Sequence, residues 1–446
     1  MDKLVIQGGG DLRGSLHVGG SKNTALPLMA AAVLADGVTT IHNMPVLKDV
    51  ATFSNVIRVT GCKVTWEPDD DPSTPETITI DGSSIHHFEA PYDLVKQMRA
   101  SFYMLGALLG RGGTARVSLP GGCAWGPRPV DLHIKGMEAL GAEVREEAGY
   151  VIAEAPGGRL KGGHMRFEPV SVGATINVLL AAVTAEGESV LENVAAEPDV
   201  VVFGQMLQKM GARIEGLGTD TITVQGVEKL NPVEFTNCPD RIELGTYMIA
   251  AALATPARET FRITGAEPEH LGPEFTEKFR QTGVPFRVVD GEGDWSTVEV
   301  EGVDAIRPVS VETAPFPGFA TDLQAQWTVL MTQADGPSTV RDTIYTDRFK
   351  HIPELRRLGA DLKVTGDTVH VSGKARPLSG ATVMSTDLRA SVSLVLAGMV
   401  ASGETNVLRV YHLDRGYERL EHKLQKAGVD IVREQYDEAH AEGVAA

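Results

Sequence analysis

The sequence predicts an α/β protein of two domains, each built from three copies of one repeat, and two observations carry that prediction. A glycine-centred step recurs at Gly61, Gly141, Gly211, Gly283, Gly359 and Gly428, at separations of 80, 70, 72, 76 and 69 residues. Around each step stand the same parts, an apolar helical segment, a turn and strand, and a more polar helical segment, and a strand pair closes several of the units. Solenoid repeats run to roughly 20–50 residues. These are longer and mix helices with strands, so an enzyme with a cleft between two domains is favoured over a repeat-built binding scaffold.

Each element has its local reason. The apolar helices are expected over Asn23–Leu34, Leu94–Leu109, Val172–Ala185, Ile242–Ala254, Leu323–Gln333 and Leu388–Ala401. They are apolar nearly all round, the mark of buried helices. A Gly-x-Thr turn and strand follow, as in Gly37-Val38-Thr39-Thr40-Ile41 and Gly403-Glu404-Thr405-Asn406-Val407. The second helix of each repeat is amphipathic and ends at the glycine, which suits a helix C-terminus. Thr77–Ile80 and Thr368–Val371 read as closing strands.

Composition bounds the function. The chain has 446 residues, 42% hydrophobic and 22% charged, which excludes disordered and fibrous classes. Lys plus Arg total 41 against 59 Asp plus Glu, a formal charge of −18, so neither nucleic acid nor an anionic membrane is an expected partner. Met1-Asp2-Lys3 leads into an alternating stretch, and no apolar window approaches the roughly 20 residues of a membrane span. Cys62, Cys123 and Cys238 show no CxxC spacing, so free thiols in a reducing cytoplasm are expected. No Walker loop, GxGxxG unit or metal-ligand cluster occurs, and no cofactor or metal is expected. Nothing in the sequence points to a partner protein.

Chemistry gathers where the apolar helices begin. Those starts read Ser21-Lys22-Asn23, Lys96 to Arg99, Ser171, Asp240-Arg241, Thr321-Asp322, and Thr386-Asp387 with Arg389. Capping accounts for Ser21, Ser171, Thr321 and Thr386. It does not account for Lys22, Arg241 and Arg389, because a cation at a helix N-terminus opposes the macrodipole unless an anion lies between. The second candidate is the stretch from Ser118 to Leu132, in which Cys123 sits among glycines and prolines with Arg116 and Arg128 near it in sequence. It reads as a lid whose thiol has a lowered pKa and acts as acid or nucleophile. Cys62 takes the small position of the glycine step and reads as structural.

Five segments carry a family resemblance: Ser21 to Pro27, Leu119 to His133, Thr313 to Gln326, Thr386 to Gly398, and Tyr411 to Leu424. In this order they resemble the enolpyruvyl transferases, in particular the UDP-N-acetylglucosamine enolpyruvyl transferase family. The resemblance implies a two-domain inside-out α/β barrel of six βαβαββ-like repeats, with the active site in the interdomain cleft. It places residues 21–238 in one domain and residues 1–20 with 239–446 in the other. It implies transfer of the enolpyruvyl group of phosphoenolpyruvate to the 3-hydroxyl of UDP-N-acetylglucosamine, with release of phosphate, by addition and elimination through a tetrahedral ketal.

Residue roles follow from the same resemblance. Cys123 matches the proton-donating cysteine, the target of fosfomycin in that family, and Asp322 the carboxylate facing the sugar hydroxyl. Lys22, Asn23, Arg128 and Arg415 match residues that hold phosphoenolpyruvate, with Lys22, Arg415 and Asp387 counted among the catalytic groups. Arg99, Arg128, Pro129, Val130, Asp131, Leu132, Ser171, Val172, Gly173, Asp322 and Ile344 match positions around the UDP-sugar. Arg348 and Arg389 match supporting charges. Pro169 stands where the family commonly has a lysine that reaches the diphosphate, with Arg166 the nearest cation to replace it. Asp199 replaces the family's glutamate and Ala196 its arginine. The sister family of 5-enolpyruvylshikimate 3-phosphate synthases lacks the Gly-Gly-Cys loop.

Overall fold

The computed structural model describes residues 1–69, 76–96, 98–120, 130–291 and 293–436. They gather into two compact units, residues 20–238 and residues 1–19 with 239–446. Within each unit three apolar helices pack on one another. In the first unit these are Lys22–Ala32, Met104–Gly112 and Val172–Ala182. In the second they are Arg241–Ala254, Gln324–Thr332 and Leu388–Val400. Away from their ends these helices are buried on every side, so they form the centre of each unit and the sheets its outer layer. This is the inside-out arrangement that the family resemblance implies.

Among the described residues six four-stranded sheets surround these helices, all with one pairing pattern. A short edge strand runs parallel to its neighbour, and the remaining pairs are antiparallel. Glu234–Thr236 lies parallel to Val38–Met44, which pairs with Glu76–Asp81, which pairs with Lys63–Thr65. The last strand of the 20–238 unit thus closes on its first. In the other unit the N-terminal strands close the ring: Ser15–His17 joins Thr260–Ala266, and Asp2–Gln7 lies between Glu404–Leu408 and Asp430–Gln435.

The repeat glycines have a backbone cause. Gly61, Gly141, Gly211, Gly283, Gly359 and Gly428 all take positive φ, between 82° and 106°. There each reverses the chain after the second helix of its repeat, a conformation that costs an L-residue about 1–2 kcal/mol. The helices themselves approach closely at Gly106, where a Cβ would lie 2.0 Å from the Asn177 carbonyl oxygen. Asn177 fastens that crossing: its Oδ1 accepts from Gly106 N at 2.7 Å and its Nδ2 donates to Phe102 O at 2.9 Å.

One helix differs from expectation. The segment expected as a single helix over 94–109 begins as a one-turn helix at Tyr92–Val95, becomes 3-10 at Arg99–Tyr103, and turns α-helical at Met104–Gly112. Met98 is extended (φ −151°, ψ 119°), so the helical bonds cannot run through it. Among the described residues no helix is long and apolar enough to cross a membrane, and no group of three or more His, Cys, Asp or Glu could hold a metal ion.

Candidate active site

Serine and aspartate caps position the starts of four central helices. Ser21 Oγ accepts from Thr24 N and Ser171 Oγ from Ala174 N, each at 3.3 Å. Asp240 caps through Ile242 N and Glu243 N, and Asp387 through Arg389 N and Ala390 N. Thr386 is not the cap; its hydroxyl donates to Asp387 Oδ2 at 3.3 Å. Thr321 is not a cap either. Its helix opens with a 3-10 turn whose cap position is Ala320, and its hydroxyl donates to Asp342 Oδ2 at 2.7 Å.

In the unit containing residues 239–446, Asp322 is held by two arginines. Arg348 Nη1 reaches Oδ1 and Arg389 Nη2 reaches Oδ2, both at 2.8 Å. The side chain of Asp322 keeps 26% of its surface open, against 10% for Arg348 and 5% for Arg389. Burial alone would raise the Asp322 pKa. The attraction of Arg389 and Arg348 outweighs it and holds the carboxyl well below the usual carboxylate range. Burial in turn disfavours the Arg389 cation, but Asp322 keeps it firmly protonated. Behind the pair, Arg389 Nη1 lies 3.4 Å from Tyr417 Oη, which is 2.8 Å from Thr246 Oγ1. Gln326 Nε2 donates to the Asp322 carbonyl at 3.0 Å. The result is an ionised carboxylate with one open side, fixed by cations that compensate its charge.

Asp387, on the same helix start as Arg389, is buried and spends its Oδ1 on the cap. Arg415 ends the 3-10 turn Val410–Arg415. Ile344 is exposed on the turn after Ser338–Arg341, and its N–H donates to Asp342 Oδ1 at 3.0 Å.

In the 20–238 unit, Lys22 and Asn23 form the first turn of the helix capped by Ser21, both part-exposed. Lys22 Nζ pairs with the buried Asp49 at 2.7 Å, so an anion does offset this cation at the helix start. Asp199 Oδ1 accepts from Ser21 Oγ at 3.1 Å and Thr24 Oγ1 at 2.9 Å, fixing the same turn from beneath. Cys238 Sγ is buried 3.4 Å from Thr24 Oγ1, and Cys62 is buried with its thiol pKa raised by desolvation. Cys123, Arg128 and Pro129 lie outside the described residues. Val130 immediately precedes the helix Asp131–Ala139, Asp131 opens it, and Leu132 packs against the core.

Ser171, Val172 and Gly173 start the next central helix beside His133. Asn177 Nδ2 also donates to His133 Nδ1, at 2.9 Å, so the ring proton sits on Nε2. Burial, helped by Arg99, lowers the His133 pKa to about 3, and the ring is neutral. A Cβ at Gly173 would stand 3.6 Å from Nε2, so the helix start lies close against the ring. Arg99 opens the 3-10 turn Arg99–Tyr103. Arg166, the cation near Pro169, has its guanidinium 3.1 Å from Glu168 and 3.7 Å from Glu192.

Asp342, whose carboxylate is buried and accepts from Thr321 Oγ1 next to Asp322, is a residue that the sequence did not single out. A signal existed. It stands six residues after the turn glycine of its repeat, where other repeats have Asn43, Asn193 and Arg409. Those three take left-handed backbone, with φ of 55°, 53° and 58°. An aspartate there, alone among the six repeats, marks a side chain that serves its neighbours.

A family model described as EPSP synthase (3-phosphoshikimate 1-carboxyvinyltransferase) matches residues 6–424. The chain is 50% identical, over 98% of its own length and 98% of the relative's, to the UDP-N-acetylglucosamine 1-carboxyvinyltransferase of Chloroherpeton thalassium. It is equally similar to the one of Chlorobaculum parvum, at 50% over 98% of this chain and all of that relative. Among solved structures it resembles the enolpyruvyl transferase NikO from Streptomyces tendae, with TM-score 0.86, 30% identity, and coverage of 98% and 99% of the two chains. An EPSP synthase from Acinetobacter baumannii shares the fold at TM-score 0.74 and 19% identity, covering 98% of this chain and 100% of that one.

Proposed function

The chain belongs to the EPSP synthase (3-phosphoshikimate 1-carboxyvinyltransferase) family, and from that premise we infer how its residues share the work. The reaction is transfer of the enolpyruvyl group of phosphoenolpyruvate to the 3-hydroxyl of UDP-N-acetylglucosamine, with release of phosphate, in peptidoglycan synthesis. The near full-length identity to transferases of that name carries this conclusion.

The sugar O3 adds to C2 of phosphoenolpyruvate while its proton leaves and C3 gains a proton, giving a tetrahedral ketal. The C2–O bond to phosphate then breaks and C3 loses a proton, leaving an enol ether. We assign the first proton to Asp322. Its part-exposed carboxylate and its two arginine partners support this, because the clamp keeps it ionised and aimed. A carboxylate held so far below its usual pKa is a weak base. It therefore orients the hydroxyl and accepts the proton only as the new C–O bond draws charge from the oxygen.

Cys123 is assigned as donor to C3, supported by the resemblance of its loop. Lys22, Asn23, Arg128 and Arg415 are assigned to the phosphate and carboxylate of phosphoenolpyruvate. Arg99, the Arg128 to Leu132 run, Ser171 to Gly173 and Ile344 are assigned to the UDP-sugar. Asp387 and Arg389 support the assigned base from their shared helix start, and the cytoplasm is the assigned compartment. Incubation with both substrates should yield a nucleotide sugar heavier by one enolpyruvyl group and an equal amount of phosphate. Phosphate release without a heavier sugar would refute the assignment.

A further inference from the structure

We propose that Asp342 is a positioning residue that sets Asp322 through a relay of Thr321 and Arg348. This rests on the reading of Asp322 as the group that takes the sugar proton. Asp342 follows the strand Ser338–Arg341 and is fully buried. Its carboxylate accepts four hydrogen bonds. Oδ1 takes Thr313 Oγ1 at 2.8 Å, Ile344 N at 3.0 Å and Tyr345 N at 2.9 Å, and Oδ2 takes Thr321 Oγ1 at 2.7 Å.

The relay has a direction. Thr321 has one hydroxyl proton, and an ionised carboxylate can only accept, so that proton points at Asp342. The Thr321 lone pairs are thereby turned to Arg348, whose Nη1 donates to Thr321 Oγ1 at 3.0 Å. The same Nη1 lies 2.8 Å from Asp322 Oδ1. Asp342 thus fixes the rotor of Thr321, Thr321 fixes the guanidinium, and the guanidinium fixes the carboxylate that meets the substrate. The two backbone N–H groups held by Oδ1 belong to the turn bearing Ile344, so one buried carboxylate aligns the assigned base and the turn assigned to the nucleotide sugar.

An aspartate serving only the fold would bind the same four donors, and the test must separate the two roles. Asp342→Asn puts an N–H₂ opposite Thr321 and reverses its rotor, and Thr321→Val removes the rotor. Each is expected to lower kcat by about tenfold with the KM for phosphoenolpyruvate nearly unchanged, the scale of one lost charged hydrogen bond. Because both break one chain, the double variant should be no slower than the slower single. Thr321→Ser should recover most of the rate. Thr313→Val, which removes another donor to Asp342 but no arm toward Arg348, should stay within about twofold of wild type. Multiplying losses in the double variant, equal losses in Thr313→Val, or a normal kcat in Asp342→Asn would overturn the relay. If those occur while Asp322→Asn is inactive, the relay alone is wrong. If Asp322→Asn turns over normally, the reading beneath it falls as well.

Discussion

Asp322→Asn is expected to lower turnover by about 100-fold or more, the scale of lost acid–base help from a positioned group. The dissociation constant for UDP-N-acetylglucosamine, read by calorimetry, should stay within about threefold, because the amide keeps its shape and one acceptor oxygen. Unlike an exposed cap, this residue also carries stability. Its charge lies between Arg348 and Arg389, whose side chains are 10% and 5% exposed. Neutralising it leaves those cations poorly compensated, at a cost of about 1–3 kcal/mol. The pH dependence has a fixed sign. A carboxyl with a depressed folded pKa contributes its stability above its unfolded value of about 3.9 and loses it as pH falls through the folded one. The stability gap between wild type and Asp322→Asn should therefore be constant from about pH 5 to pH 8 and narrow only in stronger acid. A gap that closes near neutrality, or a normal turnover, would remove Asp322 from the role given it.

Lys423→Met should destabilise the protein by about 3–5 kcal/mol in urea, the usual cost of stranding one partner of a buried ion pair. Lys423 Nζ lies 2.7 Å from Glu243 Oε1, and the side chains are 7% and 5% exposed. Glu243 has further duties. Its Oε2 accepts from Gly19 N at 2.6 Å, its Oε1 accepts from Tyr247 Oη, and it sits in the first turn capped by Asp240. The lysine thus neutralises a carboxylate that ties the N-terminal segment to a central helix. Adding Glu243→Gln to Lys423→Met should restore most of the loss, since the amide oxygen can still accept from Gly19 N, the amide N–H₂ can donate to Tyr247 Oη, and no buried charge remains. A single variant within about 1 kcal/mol of wild type would show that water or another cation already serves Glu243.

What the sequence made legible was local. The six step glycines announce the repeat because each meets a left-handed turn that L-residues resist. The apolar helices announce the buried centre because their burial leaves no polar face. Ser21 and Ser171 announce caps because a cap lies within three residues of the N–H that donates to it. Thr321 misleads for the opposite reason. Its preferred partner, Asp342, is 21 residues away, and only the strand Ser338–Arg341 brings a charged acceptor to it. Lys22 with Asp49, Asp322 with Arg348 and Arg389, and Glu243 with Lys423 are likewise pairings between elements that no spacing rule connects. The break at Met98 belongs with them, because an apolar run gives no sign of where its backbone leaves the helix.

The family model and the relatives point to different acceptors, shikimate 3-phosphate by the one description and a nucleotide sugar by the other. Comparing kcat/KM for phosphate release from phosphoenolpyruvate with the two acceptors tests the account most directly. UDP-N-acetylglucosamine should be preferred by at least about 1,000-fold, as expected of a site whose buried polar groups are matched to one acceptor. Comparable rates, or a preference for shikimate 3-phosphate, would contradict it.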